Sequence, residues 1–354
     1  MINYGQGPES DQLEVIVFGP GVGEAIALHV GAGKWLLIDS CEERKGHGSV
    51  TLHYLDSIGV SPADVLAIVA THWHDDHVRA ISDLAKKYPS ADFYISGVLR
   101  EDESLAFLAT YGGKAAPGQT GGTRELANIL GSRLVKVANS QTYLLDEEIG
   151  GRHVKVVALS PLPAAFRKAA AHMGKYLVGP DQPINKAPPE PSPNAAAIVI
   201  HANIGGESIL LGADLEDNGT WGWSAMVQDS WAISRGRASA YKVAHHGSKS
   251  GDSECIWQLL LCEAPVSCVT PFVVGRHSLP TNEDKKRIKD LSGRSFIASA
   301  ASRKPAIDSE LLKRLNDICL DVRRVETGLG AIRLRKKPED LDWATELFGA
   351  AQQI

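Results

Sequence analysis

The sequence predicts a layered α/β domain, and three observations carry that prediction. Short apolar runs of strand length alternate with segments of helical spacing along most of the chain. The densest cluster of reactive side chains, Thr71-His72-Trp73-His74-Asp75-Asp76-His77, follows one such run and precedes a helical pattern. That order puts it on a strand-to-helix loop at the carboxyl edge of a sheet, where α/β proteins usually place ligands. Finally, 354 residues with 44% hydrophobic and 22% charged side chains suffice for a large buried core.

Taken in order, residues 13–18, 25–30 and 35–39 read as strands, the last two joined by the tight turn Gly31-Ala32-Gly33-Lys34. A helix over 50–58 precedes the apolar strand 64–70 that leads into the histidine cluster. Val78, Ile81, Ala85 and Tyr88 then recur at helical spacing, which predicts one helix from about Asp76. Residues 91–96 form the next strand.

Two segments interrupt the alternation. Residues 111–123 are glycine-rich, and residues 179–194 carry prolines at 180, 183, 188, 189, 191 and 193, which suit neither a helix nor a central strand. Both are expected on the surface as candidate substrate gates. A β-hairpin follows over 195–202 and 208–211, then a helix over 216–228. Trp221, Trp223 and Trp231 in or near that helix are expected to pack in the core rather than stack on bases. Later strands are predicted at 240–244, 265–270, 295–298 and 330–334. Leu341, Ala344, Leu347 and Phe348 at helical spacing predict a C-terminal helical tail over 336–354, outside a main domain of 1–335, that docks on the body or on a protein partner.

The formal net charge of −5 argues against a broadly basic, nucleic-acid-coating surface but allows a local basic groove. Five cysteines, Cys41, Cys255, Cys262, Cys268 and Cys319, are odd in number and lack C-x-x-C spacing, so a disulfide framework is not expected and a reducing cytoplasm is. No signal-peptide pattern opens the chain, and no apolar stretch nears the ~20 residues of a membrane span, so a soluble protein with no membrane contact is expected.

Three imidazoles and two carboxylates within seven residues form a metal-binding constellation. Similar punctuation recurs: the strand Trp35-Leu36-Leu37-Ile38 ends in Asp39, and Ile209-Leu210-Leu211-Gly212-Ala213 ends in Asp214. Tyr241-Lys242-Val243-Ala244 ends in His245-His246-Gly247-Ser248-Lys249, and Val274-Gly275 leads to Arg276-His277 and Pro280. The order His-x-His-x-Asp-His resembles the central motif of the metallo-β-lactamase-fold hydrolases. With Asn194, the strand-Asp motif and the twin histidine, the chain also resembles, over residues 13–334, the soluble domain of competence DNA-uptake channels of the ComEC type.

The resemblance implies a four-layer αββα sandwich holding two divalent ions, zinc first, with manganese or iron open. It implies His72 and His74 at one ion, Asp76 and His77 at the other, and Asp214 bridging them. One or more of His245, His246 and His277 would complete the set, with His246 and His277 the candidate ligands. Asp39 would support the histidine loop from behind the ligands. Asp76, Asp214, His245 and His246 are the candidate catalytic residues, and Ser248, Lys249 and Arg276 the candidate contacts for a phosphate. Two departures stand out. The membrane spans of the channel proteins are missing, so DNA translocation does not transfer. A further family histidine also lacks a clear counterpart, since His153, His172 and His201 have no matching context. The first ion would then rest on His72, His74, Asp214 and water.

Such a site implies hydrolysis by a hydroxide bridging two ions. The leading expectation is a phosphodiesterase or nuclease whose substrate is a phosphodiester, in nucleic acid or in a smaller molecule. Because a fold does not fix a substrate, a hydrolase of carboxylic esters, thioesters or lactams is the alternative. A non-catalytic, metal-stabilised subunit that recruits a partner through its tail is the third. His29, His47 and His53 are expected to be structural or solvent-facing, and nothing beside Cys41 marks a nucleophile.

Overall fold

The computed structural model describes residues 2–44, 46–100, 121–173, 193–274, 277–299, 310, 314 and 328–354. Its apolar runs pair into two large sheets. In the first half of the chain these are β1 (Leu13–Gly19), β2 (Ala25–His29), β3 (Trp35–Ile38), β4 (Val65–Ala70), β5 (Asp92–Ser96), β6 (Lys136–Ala138), β7 (Tyr143–Ile149) and β8 (Arg152–Ala158). In the second half come β9 (Ile200–Ile204), β10 (Glu207–Leu211), β11 (Ala238–Lys242), β12 (Leu261–Val269), the small pair β13 (Phe272–Val274) and β14 (His277–Leu279), β15 (Arg294–Ile297), β16 (Gly330–Lys336), β17 (Ala344–Gly349) and β18 (Gln352–Gln353). One sheet runs β17-β16-β1-β2-β3-β4-β5-β6, the other β18-β15-β12-β11-β10-β9-β8-β7.

The sheets stack face to face, which accounts for strands that are apolar at every position rather than at alternate ones. In β1, Val15 and Val17 enter the layer between the sheets with Leu36, Val69, Val156 and Ile209. Ile16 and Phe18, pointing the other way, pack against helices α1 (Val50–Ser57), α3 (Ile81–Lys87) and α4 (Gly121–Ser132). A third apolar cluster, around Trp223, Tyr241 and Ile288, covers the outer face of the second sheet. Two sheets between two helical layers make the expected four-layer αββα sandwich. Trp221 and Trp223 are buried in it, as the sequence predicts.

The parallel sets β3-β4-β5-β6 and β10-β11-β12-β15 send their carboxyl ends toward the site-bearing loops. Those exits are sharp. Asp39, Ala213, His245 and His246 all have left-handed backbones, with φ of 59°, 44°, 47° and 52°. For residues other than glycine each such conformation costs on the order of 1–3 kcal/mol and is retained where the surroundings impose it. Gly212 holds two of these exits together: a Cβ there would meet Ala244 Cβ at 2.9 Å and Lys242 O at 3.0 Å.

Three local expectations are corrected. The helix predicted from Asp76 through Tyr88 is two pieces, α2 (Asp75–Val78) and α3, broken at Ala80 (φ 61°). The carbonyls of Asp76 and His77, needed to continue the helix, instead accept the N–H groups of Glu24 (2.8 Å) and Ser40 (2.7 Å). The helix predicted over 216–228 shrinks to a turn at Trp223–Met226, because Asp217 N–H bonds to Ser250 O (2.7 Å) and a side chain at Gly222 would strike Glu216 O at 2.2 Å. The tail predicted as a helix is two strands. β17 pairs antiparallel with β16 and β18 with β15, so open sheet edges outweigh the local helical spacing. The glycine-rich and proline-rich gate candidates fall mainly outside the described residues, at 111–120 and 179–192. Among the described residues no helix is long and apolar enough to cross a membrane.

Candidate metal centre

Five strand exits converge here. Asp39 follows β3, the histidine loop follows β4, Asp214 follows β10, the twin histidine follows β11 and Thr270 follows β12. The structure brings His72, His74 and Asp214 into one group and Asp76, His77 and His246 into another, each with its donor atoms within 4.8 Å of one another. Asp214 Oδ2 lies 3.9 Å from His72 Nε2, 3.4 Å from His77 Nε2 and 3.4 Å from His246 Nε2, so it joins the two groups. His246 Nε2 is also 3.2 Å from Asp76 Oδ2. His72 Nε2 and His74 Nδ1 converge at 3.1 Å.

Hydrogen bonds fix which ring nitrogen faces inward. The buried Asp39 accepts the Thr71 N–H and hydroxyl, each at 2.7 Å, and the Nδ1–H of His77, also at 2.7 Å. Because the Thr71 hydroxyl donates to Asp39, it accepts from His72 Nδ1 (3.0 Å). His246 Nδ1 donates to Thr270 O (3.2 Å). All three imidazoles therefore turn Nε2 toward Asp214. Among the described residues, His77 Nε2, His246 Nε2 and Asp214 Oδ1 are buried without a hydrogen-bond partner. Orphaned buried polar atoms are rare in native structures, and a set of nitrogen and oxygen donors of this kind suits a divalent cation.

Charge follows the same pattern. Burial, with neighbouring His77 and His74, holds His72 well below the usual histidine range, and burial lowers His74 too, so both are neutral donors. At His246 burial also pulls down, but Asp214 and Asp76 outweigh it and push the pKa up to about 9. His77 is raised well above the ordinary value, with Asp214, Asp76 and Asp39 together outweighing burial. Burial would raise Asp76 and Asp214, yet the adjacent imidazoles hold both below the usual carboxylate range.

The centre opens into a cleft of about 340 Å³. Its lining combines His74, Asp76, Asp214 and His246 of the donor groups with Asp75, Arg79 and His245 and the apolar Val22, Phe272, Val274 and Leu279. Phe272 stacks on His246 with ring centroids 5.2 Å apart. His245 is held by Asn194 (3.3 Å) and Ser250 (2.9 Å), and Arg79 is half-exposed beside Asp75 (3.8 Å).

A profile of the metallo-beta-lactamase superfamily matches residues 18–225. The chain belongs to that superfamily. Solved structures similar to this superfamily member include the metallo-beta-lactamase fold protein YhfI from Bacillus subtilis, at 15% identity, covering 82% of this chain and 97% of that one with a TM-score of 0.41. The metallo-beta-lactamase SMB-1 in complex with mercaptoacetic acid shares 15% identity, with coverage of 67% and 81% and a TM-score of 0.35. A flavoprotein from Thermotoga maritima shares 15%, with coverage of 69% and 47% and a TM-score of 0.31. A search of curated proteins finds no match. The superfamily is generally hydrolytic and metal-dependent, and the His/Asp groups described above are this chain's candidate metal-binding residues.

Other residues singled out in the sequence lie elsewhere. His277 is exposed on β14 and enters none of the donor groups. Lys249 is 77% exposed, lies 3.9 Å from Asp252 and does not line the cleft. Ser248 caps the following turn and bonds to Ser250 (3.1 Å), which reaches His245. Arg276 falls outside the described residues. His153 is exposed between Asp146 and Glu148, and His201 is buried against Gly236 O (3.2 Å). His29 pins its hairpin through Gln12 O (2.7 Å) and Gly33 N–H (3.0 Å). Sequence reading missed Glu24, Thr71, Arg79, Thr270 and Phe272. Only Glu24 carried a signal, as an acidic residue directly before the apolar run Ala25-Ile26-Ala27-Leu28.

Proposed function

We propose that the chain is a dinuclear metal-dependent phosphodiesterase acting on a compact phosphodiester. The observation that carries this reading is that two donor groups share Asp214 in a cleft also lined by Arg79 and His245. His72, His74 and Asp214 would hold one divalent ion, and Asp76, His77, His246 and Asp214 the other, with zinc first and manganese or iron next. Ions bound there supply Lewis acidity and lower the pKa of water toward neutrality.

The chain's own residues do the rest. Asp39 and Thr270 hold His77 and His246 in the tautomer that presents Nε2. Arg79 is a guanidinium placed to meet non-bridging phosphate oxygens. His245, with its ring nitrogens held by Asn194 and Ser250, would shape the cleft beside the substrate. The motif order shared with DNA-uptake channels supports a phosphodiester. The modest cleft, which Lys249 does not line, supports a small one over a nucleic-acid strand. A second reading, hydrolysis of a carboxylic ester, thioester or lactam, draws on the apolar lining of Phe272, Val274 and Leu279.

Metal-loaded protein should be assayed against bis-(p-nitrophenyl) phosphate, single-stranded DNA, RNA, a thioester and a cephalosporin. Turnover of the small diester above all others is expected. Turnover of the thioester or cephalosporin with every phosphodiester left intact would replace this reading by the second.

A further inference from the structure

Glu24 lies outside every motif that the site uses, yet the chain is built to deliver it there. Gly23 has φ +124°, and a Cβ on it would meet Cys41 Cβ at 2.7 Å, so only glycine passes this close. The next residue is thereby pressed under the histidine loop, where Glu24 N–H donates to Asp76 O (2.8 Å). Its side chain is 1% exposed. The Thr270 hydroxyl donates to Oε2 at 2.6 Å, and the buried ammonium of Lys242 pairs with that same oxygen. Lys242 otherwise reaches Ala213 O at 3.3 Å, just before Asp214.

Two donors on one oxygen fix the carboxylate and leave the other unpaired: Oε1 is buried with no hydrogen-bond partner among the described residues. A carboxylate oxygen of Glu24 lies within 4.8 Å of donor atoms of both His77 and Asp214. Leaving a buried charged oxygen unsatisfied is costly, so its retention calls for a partner. A stabilising ion pair with Lys242 would account for Oε2 but not for Oε1.

We propose that Glu24 is a further carboxylate ligand at the Asp76–His77–His246 position. It makes that position richer in oxygen than the His72–His74 position, and therefore selective for a harder cation such as Mn²⁺ or Fe²⁺. Formal charge agrees. The carboxylates of Asp39, Asp76, Asp214 and Glu24, set against the ammonium of Lys242, leave three negative charges in excess. Two divalent cations and the hydroxide shared between them balance that excess.

The inference rests on the two-ion reading given above, and the experiment separates the two. Wild type, Glu24→Gln and the double variant Glu24→Gln/Lys242→Met are loaded with Zn²⁺ or Mn²⁺ and titrated with a chromogenic chelator, with circular dichroism as the check on folding. The double variant removes both buried charges together, which proteins usually tolerate better than stranding one. Both variants should keep the first ion and bind the second at least ~10-fold more weakly, with the Mn²⁺ loss exceeding the Zn²⁺ loss. If Glu24→Gln does not fold, the double variant decides. Wild type holding two ions alongside a folded variant with unchanged second-ion affinity and unchanged Mn²⁺/Zn²⁺ order overturns the assignment alone. Wild type holding fewer than two ions overturns it together with the dinuclear reading.

Discussion

Replacing Asp39 by asparagine should weaken the second metal position through a single reversed hydrogen bond. Asp39 accepts three donors at 2.7 Å: the Thr71 N–H, the Thr71 hydroxyl and His77 Nδ1–H. The asparagine carbonyl can keep the Thr71 N–H, but its amide now faces the hydroxyl and His77. The hydroxyl can rotate to accept. The imidazole can accept only by moving its proton to Nε2, the atom directed at Asp214. A hydrogen bond to a charged group contributes about 1.5–3 kcal/mol. Loss of a partner behind a metal ligand typically lowers affinity about 10–100-fold, or about 1.4–2.7 kcal/mol, so the two figures agree. Chelator competition should therefore show the second ion 10–100-fold weaker than in wild type, in keeping with that range, and the first nearly unchanged. A folded variant that binds its second ion as tightly as wild type would refute the tautomer argument.

Three further outcomes follow from the same geometry. Asp214→Ala should fold, hold at most one ion tightly and lose hydrolysis by at least about 10²-fold; near-wild-type turnover would contradict a shared ligand. Metal uptake should release protons, because Asp214 and Asp76 push the His246 pKa up to about 9, which leaves it charged at neutral pH in the cation-free protein. Second-ion affinity should then rise as pH rises toward 9, and calorimetry in buffers of different ionisation enthalpy that detects no proton release at pH 7 would count against this. Acid stability tests the buried His201, whose pKa burial lowers to about 4. A folded pKa below the unfolded 6.5 means stability is complete above 6.5 and is lost as pH falls toward 4, by at most about 3 kcal/mol. Denaturant titrations should show a flatter pH slope for His201→Gln, and identical slopes would rule out that contribution.

Much of this was legible before any coordinates. Period and punctuation located β1 to β5, β10, β11, β15 and β16 to within a residue or two, because strands covered on both faces are largely apolar, whereas β6 to β8 carry polar residues and were not read as strands. His72, His74, Asp76, His77 and Asp214 were legible because each closes or follows such a run. The choice between His245 and His246 was not. It depends on two consecutive left-handed residues that turn one ring inward and the other toward the cleft. His277 was singled out from its sequence context, but its side chain is exposed on β14 and enters none of the donor groups. The helix break at Ala80 and the strands of the tail arise from hydrogen-bond partners far along the chain, which local spacing does not encode. Glu24 and Thr270 meet across 246 residues of sequence, so their pairing is visible only in the fold.

The dinuclear reading is tested most directly by anomalous scattering, recorded above and below the zinc edge, from crystals grown with Zn²⁺. Two peaks are predicted, one held by His72 and His74, the other by Asp76, His77 and His246, with the Asp214 carboxylate touching both. A single peak, or peaks away from Asp214, would contradict it.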